Sequence, residues 1–371
     1  MRSANILIVG GGIGGLTAAI ALRRKGFDVE IVEKDPMWSV YGVGIIQQSN
    51  VVRAMSELGI LEDYLEAAFG FDFVEVHLPD GERVARIPSP KLVDGHPANV
   101  GISRPGLHKV LGDKAIASGA LVRLGITVQD FDDDGEGVDV RFSDESTGRF
   151  DLVVGADGLF SATRQAIFPD APAPQFIGQS VWRYNFPRPA DLDCLRSYEG
   201  EVGVGLVPLS ERLMYMFVTT AELDNPRYPT QGLAAVMRSK LAAAPPAIAA
   251  LAQQITDDEG VVYKPQECIF LTGDWHKGRI GLIGDAVHAT TPHLGQGAGM
   301  AIEDSIVLAE ELERADTPQA AFAALRERRF ERCAFTVKTS QAICLGQLGK
   351  GPRVDQAAAV REMFAVLAQP I

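Results

Sequence analysis

The spacing of apolar and polar positions changes several times along the chain, and each change marks an element. Four apolar residues, Ile6 to Val9, run into a glycine-rich stretch, and apolar residues at helical spacing follow it (Leu16, Ala19, Ile20, Leu22). A buried strand, a tight turn and a helix are predicted in that order. Gly26 stops the helix, and a second apolar run, Val29 to Val32, ends on Glu33 and Lys34. An amphipathic helix is predicted from Asn50 to Leu58, closed by Gly59. The period then shortens. FDFVEVHL and ERVARI read as strands around the turn Pro79-Asp80-Gly81, Arg104 to Ser118 returns to helical spacing, and VDVRF and RFDLVV flank the polar turn SDEST as a hairpin. From about 178 to 264 three strands come first (SVWRYNF, VGVGLVPL, LMYMFVTT), and an alanine-rich helix from Leu233 to Gln254 follows. Arg279 to Ile283 reads as a strand; helices are predicted over Met300 to Leu312, Pro318 to about Leu348 and Asp355 to Leu367, with Gly346 to Arg353 as a linker.

This order predicts an α/β protein: a Rossmann-like nucleotide-binding domain, an interleaved second domain built on a mainly antiparallel sheet, and C-terminal helices. The first domain takes residues 1–70, 99–177 and 265–371; the second takes 71–98 and 178–264. With 371 residues, 46% of them hydrophobic, the chain can bury a core for two such units. A formal charge of −13 would repel a phosphate backbone and an anionic membrane surface, so neither nucleic acid nor membrane is an expected partner. Cys194, Cys268, Cys333 and Cys344 lie far apart with no metal-like spacing. They predict neither disulfides nor a metal site, and no apolar run has the length of a membrane span. A soluble cytoplasmic protein, monomeric or homodimeric, is expected. The run Asp132 to Asp134 is read as a solvated turn.

Gly10, Gly12 and Gly15 form G-x-G-x-x-G between the first strand and helix. The first allows a tight turn, the second lets a pyrophosphate approach the backbone, and the third lets helix and strand pack closely. Glu33, 18 residues past the last glycine, suits ribose hydroxyls. This unit alone leaves NAD and FAD open, because both carry the same adenosine diphosphate half. Two further segments bear on the choice. A strand ending at Val154 enters Gly155-Ala156-Asp157-Gly158, with Ser161 and Arg164 a turn later. Another enters Gly284-Asp285-Ala286-Val287-His288, followed by Pro292-His293-Leu294-Gly295-Gln296-Gly297-Ala298-Gly299 and a helix. A carboxylate at a strand's end can bind a polyol hydroxyl, and N–H groups at a glycine-rich helix start can stabilise negative charge.

These three motifs, in this order and spread over nearly the whole chain, resemble those of the single-component, FAD-dependent aromatic hydroxylases, the class A flavoprotein monooxygenases that include para-hydroxybenzoate, salicylate, urate and 6-hydroxynicotinate hydroxylases. The resemblance implies FAD as cofactor, NADH or NADPH as co-substrate without a second nucleotide-binding domain, and O₂. It implies hydroxylation of a small aromatic or heteroaromatic substrate through a hydroperoxide formed on the reduced flavin. It places Gly42-Val43-Gly44-Ile45 beside the flavin ring and gives Arg104 a contact to the cofactor. By the same resemblance Asp157, Arg164, Asp285, Pro292, Gly295, Gly297 and Ala298 join Gly10, Gly12, Gly15, Glu33, Lys34, Gly44 and Ile45 in the cofactor site.

For the protein's own chemistry, a general base or a proton relay to solvent would make a phenol a better nucleophile. His293 is the leading candidate, within the stretch the resemblance places over the flavin, on the expectation that histidine titrates near neutral pH. A packing role for it remains open, and His288 is expected to orient its loop. Tyr215 shares a strand face with Leu213 and Phe217 and can project into a substrate cavity or into a core. Arg183 can receive an anionic oxygen through its fork or sit in an edge ion pair. Gln47, with Gln48, and Pro292 are placed on the substrate side. Trp182-Arg183-Tyr184-Asn185-Phe186-Pro187 is also similar to the W-x-W-x-I-P motif of flavin-dependent halogenases, but lacks its second tryptophan and its isoleucine. Rival readings are a same-fold enzyme acting on a non-phenolic substrate, by epoxidation or antibiotic inactivation, and a flavin reductase or oxidase without oxygen insertion.

Overall fold

The structure, a computed structural model, describes residues 4–40, 42–200 and 202–371. Its centre is a six-stranded sheet in the order His276–Lys277, Ile280–Leu282, Leu152–Gly155, Asn5–Val9, Asp28–Glu33, Leu121–Leu124. All neighbours are parallel except the edge pair His276–Lys277 and Ile280–Leu282. The strand that opens the chain is apolar without alternation because both its faces are covered; Ile6, Leu7 and Ile8 are each 0% exposed. Helices Ile13–Arg24, Arg104–Ala117 and Gly297–Arg314 pack on one face around Ile6, Ile8 and Leu16. On the other, Leu7 and Val9 pack with a three-stranded antiparallel sheet, Val128–Asp133, Val138–Phe142 and Thr147–Phe150.

Here the structure differs from the hairpin expected over VDVRF and RFDLVV. Thr147–Phe150 pairs with Val138–Phe142, but Leu152–Gly155 leaves the hairpin and lies parallel to the opening strand. The crossover is fixed at Asp151, whose Oδ2 accepts the Asn5 N–H at 2.6 Å. FDFVEVHL is likewise divided. Ala68–Phe71 pairs with Asn99–Ser103, itself paired to Gly44–Gln48, whereas Phe73–His77 belongs to a different sheet. Asp72 pins this second crossover by accepting the Ala98 N–H at 2.9 Å and pairing with Lys91 at 2.7 Å.

The largest sheet has seven strands in the order Val262–Cys268, Gln175–Pro187, Leu213–Ala221, Gly203–Pro208, Leu195–Tyr198, Phe73–His77, Arg83–Pro88. Its pairs are antiparallel except Leu195–Tyr198 with Phe73–His77. One face carries Trp182, Met214, Met216 and Val218, packed against Leu233, Met237 and Ile248. The alanine-rich stretch that supplies those partners is two helices, Leu233–Lys240 and Pro246–Ala252. Pro245 and Pro246 divide it, since proline donates no N–H and drives the residue before it out of the helical region. Two further helices, Pro318–Gln347 and Gln356–Ala368, close the chain. The aspartate run differs from the turn expected: Asp132 and Asp133 end the strand Val128–Asp133 and only Asp134 lies beyond it, with Asp133 accepting the Arg279 N–H at 2.6 Å and Asp134 pairing with Arg149 at 2.7 Å. Among the described residues no helix is long and apolar enough to cross a membrane.

The small and large sheets cross at Gly101. A Cβ on Gly101 would lie 1.9 Å from the carbonyl oxygen of Pro208, so only a hydrogen side chain permits this approach. Gly101→Ala is expected to destabilise the fold by about 1–3 kcal/mol through overpacking, read as a lower denaturant midpoint at unchanged slope.

Candidate functional site

A cleft of about 2150 Å³ runs from the glycine turn of the parallel sheet to the open face of the seven-stranded sheet. That is well beyond the roughly 300–1,000 Å³ of a pocket for one small ligand, and it suits a dinucleotide together with a substrate. At the nucleotide end the three glycines divide their work. Gly10 has φ +109°, and a Cβ there would sit 2.5 Å from the Ala156 carbonyl oxygen; one on Gly15 would sit 1.9 Å from the Gly10 carbonyl oxygen. These two let strand, turn and helix close on one another, and neither lines the cleft. Gly12 does line it, with nothing within 4 Å of where its Cβ would be. It also caps Ile13–Arg24 without a side-chain hydrogen bond, which leaves the positive end of that helix available to an anion.

The turn is held on both sides of Gly11. Its N–H donates to Glu33 Oε2 at 2.8 Å, and its carbonyl accepts from Trp38 Nε1 at 2.9 Å and from His108 Nε2 at 3.1 Å. Trp38 and His108, which sequence reasoning missed, pack edge to face with centroids 5.0 Å apart. Lys34 is exposed and lies off the cleft.

In the middle of the cleft Gly284, at φ +62°, turns the chain so that Asp285 opens the short helix Asp285–His288. The Asp285 carboxylate lies deep in the molecule yet is open to the cleft, and burial pushes its pKa up, with His288 and Arg104 working against that rise. Facing it, Gly297–Arg314 begins without a side-chain cap, and Gly297 and Ala298 line the cleft with Pro292 and Gly295. Gln48 secures this loop by donating to the Leu294 carbonyl at 3.0 Å, and Asn50 donates to Gln296 Oε1 at 2.9 Å.

Beneath the loop lies a buried charge network. Asp304 Oδ2 accepts from the Gly284 N–H at 3.0 Å and from His288 Nε2 at 2.6 Å, while its Oδ1 accepts from Arg329 Nε at 2.9 Å. Arg329 also pairs with Glu303 at 2.7 Å, and Arg332 with Glu303 at 3.1 Å. Burial would raise the Asp304 pKa, but His288 and Arg329 hold it well below the usual carboxylate range. Burial disfavours a charge on His288, yet neighbouring Cys333 and Asp304 hold its pKa well above the ordinary value. Through its bond to Asp304, His288 ties its loop down. A signal for this network existed in the sequence: adjacent acids in an apolar helix, MAIEDSIVLAEEL, and arginines in the next one.

At the far end the open face of the seven-stranded sheet presents Arg183 and Tyr215 to the cleft, with Arg104 reaching them from the first turn of its helix. Burial lowers the Arg183 pKa to about 10; the Arg104 charge adds to that fall and Tyr215 opposes it. Burial raises the Tyr215 pKa to about 12 against the pull of both arginines. Among the described residues no hydrogen bond or carboxylate partner is recorded for the Arg183 side chain. Gly44 and Ile45 form the adjoining wall, and a Cβ on Gly44 would meet the Tyr215 ring at 2.4 Å.

His293 differs from its expected titration near neutral pH. Its Nε2 donates to the amide oxygens of Gln179 at 3.1 Å and Gln347 at 3.2 Å, its Nδ1 accepts from the Thr291 hydroxyl at 2.9 Å, and burial lowers its pKa to about 4. It is neutral through the physiological range with both nitrogens engaged. Besides Lys34, four expected site residues turn away from the cleft, among them Glu33, whose two oxygens accept from the Gly11 N–H at 2.8 Å and the Asp35 N–H at 2.9 Å. Asp157 caps its own helix, accepting from Ser161 Oγ at 2.5 Å and from the Thr163 N–H at 2.9 Å. Arg164, 1% exposed, donates to the carbonyls of Ala286 at 2.9 Å and Leu159 at 2.8 Å, tying two cleft loops together. Gln47 accepts from Tyr64 OH at 2.7 Å in the interior, and strand alternation leaves Gln48 on the cleft side.

Comparison with known proteins agrees with this arrangement. A family model described as FAD binding domain matches residues 3–341. The chain is 33% identical over 368 residues to the aurachin C monooxygenase/isomerase of Stigmatella aurantiaca, covering 93% of this chain and 89% of that protein. It is 30% identical over 310 residues to the 2-heptyl-3-hydroxy-4(1H)-quinolone synthase of Pseudomonas aeruginosa, covering 82% and 79%. Among solved structures, Klebsiella pneumoniae HpxO complexed with FAD and uric acid superposes with a TM-score of 0.84 at 25% identity, covering 98% of this chain and 93% of that one.

The His293 environment makes a pH prediction. A histidine whose pKa falls from about 6.5 unfolded to about 4 folded binds its proton more readily in the unfolded chain. Its contribution to stability is present above pH 6.5 and is lost as pH falls toward 4. His293→Gln is expected to flatten the fall in melting temperature across that window; a pH profile of thermal unfolding superimposable on that of the parent would contradict it.

Proposed function

Because this chain belongs to the FAD binding domain family, we propose that it is an FAD-dependent, NAD(P)H-consuming monooxygenase that hydroxylates a small heteroaromatic ring bound through an ionised oxygen. The observation that carries this reading is the placement of Arg183 and Tyr215 across one cleft from Asp285 and the uncapped start of Gly297–Arg314.

The residues fit the cofactor. Gly12 and the uncapped end of Ile13–Arg24 would hold the pyrophosphate, Asp285 the ribityl chain, and the backbone of Gly297 and Ala298 the ring end that gathers negative charge. Gly44, Ile45 and Arg104 would wall the ring, with Arg164 and Asp157 keeping the flanking loops in place. When bound, FAD supplies hydride acceptance from NAD(P)H and transfer of one oxygen atom of O₂ to an aromatic carbon.

The protein's part is recognition, charge and dryness. Arg183 offers a two-pronged donor whose charge has no carboxylate to neutralise it among the described residues, so a phenolate- or enolate-type oxygen gains from binding there. Tyr215, protonated up to about pH 12, donates a second hydrogen bond to the same oxygen. Holding the ring in its ionised form makes its carbon nucleophilic without a nearby base. Pro292 and neutral His293 line the wall beside the substrate, and Gln179 and Gln347 fix the imidazole there. The relative named for a 3-hydroxy-4(1H)-quinolone and the HpxO structure holding uric acid both concern nitrogen heterocycles, which supports a ring of that type for this chain. The four buried, unpaired cysteines suit a reducing compartment.

Incubation of the FAD-loaded enzyme with NAD(P)H, a hydroxylated N-heterocycle and ¹⁸O₂ is expected to give product carrying one ¹⁸O; unlabelled product would overturn the reading. Asp285→Ala is expected to weaken FAD retention about tenfold or more, measured by flavin absorbance after gel filtration, because an ionised acceptor for the ribityl hydroxyls is lost.

A further inference from the structure

The seven-stranded sheet has a second side to its chemistry, in the row of positions leading away from Arg183. Register puts Arg183 opposite Phe217, Phe217 opposite Gly205, Gly205 opposite Ser197 and Ser197 opposite Val76. Residues directly paired across strands share a face, so this row crosses five strands on the cleft side. At about 4.8 Å per strand it spans about 19 Å. Beside it a parallel row runs Leu195, Val74, Ile87. Gly205 is required here: a Cβ on it would lie 2.2 Å from the Phe217 ring, so the glycine lets that ring lie flat across its strand.

The polarity of this face is inverted. An antiparallel sheet with one side open to water normally turns polar residues to the water and apolar ones to protein. Here the protein-covered end obeys that rule, with Trp182 and Met216 under the helices. At the other end the charges lie on the face away from the cleft, where Glu75 accepts from Arg83 at 2.8 Å, Arg86 at 2.8 Å and Arg196 at 3.1 Å. Between Phe217 and Ile87 the open side carries Leu195, Val74 and Val76, with the hydroxyl of Ser197 among them and that of Thr219 at the border. Exposure grows outward along it, from 4% at Tyr215 to 49% at Ile87. This strip lines the same cleft as Arg183 and Tyr215 and is continuous with their chamber.

We propose that this strip is a tail subsite: the substrate is a heteroaromatic ring bearing an unbranched aliphatic chain, which lies across the sheet from Phe217 to Ile87 while the ring oxygen sits at Arg183 and Tyr215. The proposal rests on the reading of that chamber as the site of hydroxylation. It assigns Val74 and Ile87 as specificity residues that touch neither cofactor nor reacting atoms. Strand Phe73–His77, which enters the sheet from the segment between the two crossovers, then has a function of its own: it brings Val74 and Val76 to the tail.

The test is binding to the oxidised, FAD-loaded enzyme, followed by the change in flavin absorbance, with 2-methyl-4(1H)-quinolone and 2-heptyl-4(1H)-quinolone as probes. The heptyl compound is expected to bind at least about tenfold tighter, because its extra methylenes leave water. In the double variant Val74→Thr with Ile87→Ser that advantage should fall at least about fivefold, with methyl-compound affinity changed less than about twofold. Should the double variant lose FAD, Ile87→Ser alone, at a half-exposed edge position, carries the comparison and should reduce the heptyl advantage at least about twofold. Equal affinity for the two probes, a heptyl advantage unchanged by the substitutions, or no binding of either probe overturns the proposal. Absence of ¹⁸O in the product of a tail-free substrate would instead overturn the monooxygenase reading, and the chain-length comparison, which needs no turnover, would report separately.

Discussion

The carboxylate of Asp304 is the point on which the cleft depends. It lies where a strand of the parallel sheet ends and the helix Gly297–Arg314 passes beneath, and it accepts at once from the Gly284 backbone and from His288. Buried ion pairs add little net stability, because desolvating the charges offsets most of their attraction. Their value here is geometric. With His288 and Arg329 donating to its two oxygens, Asp304 allows one arrangement of the turn that carries Asp285, and any other would strand its charge in the core.

Around that point the chain builds its cleft from close approaches. Gly10 against Ala156, Gly15 against Gly10 and Gly101 against Pro208 are places where backbone touches backbone and no side chain fits. They bring the nucleotide turn, the small sheet and the large sheet within one ligand's length of each other. The two helix ends that open into the space have no side-chain caps, so the partners they lack must come from outside the chain. In the proposed reading, a cofactor carrying negative charge at both places satisfies them.

The substrate end follows the same reasoning with opposite polarity. Arg104 and Arg183 make it positive, Tyr215 supplies a neutral donor, and His293, engaged on both nitrogens, contributes shape and hydrogen bonding without titrating near neutral pH. In the proposed reading, fixed charge selects an ionised oxygen. Beyond it the sheet turns an apolar face to open space, an arrangement that costs free energy unless something apolar occupies it.

Much of this was legible in the sequence, because some motifs carry their own geometry. G-x-G-x-x-G between a strand and a helix fixes a turn from local sterics alone, and the order of three such segments named the cofactor. Period and proline placement gave most elements. What local pattern could not decide was where a strand changes sheets: Asp72 and Asp151 each divide an apparently continuous run, through hydrogen bonds to Ala98 and Asn5. Nor could it decide which way side chains point. Gln47 and Gln48 are neighbours of identical chemistry, yet one meets Tyr64 in the core and the other the cleft. Asp157 and Arg164 carry the resemblance but spend their hydrogen bonds on the chain itself. The pKa of His293 and the apolar strip from Phe217 to Ile87 arise only when segments more than a hundred residues apart are brought into register. Sequence determines what each residue can do; burial and facing, which are properties of the assembled tertiary structure, decide which of those capacities is used.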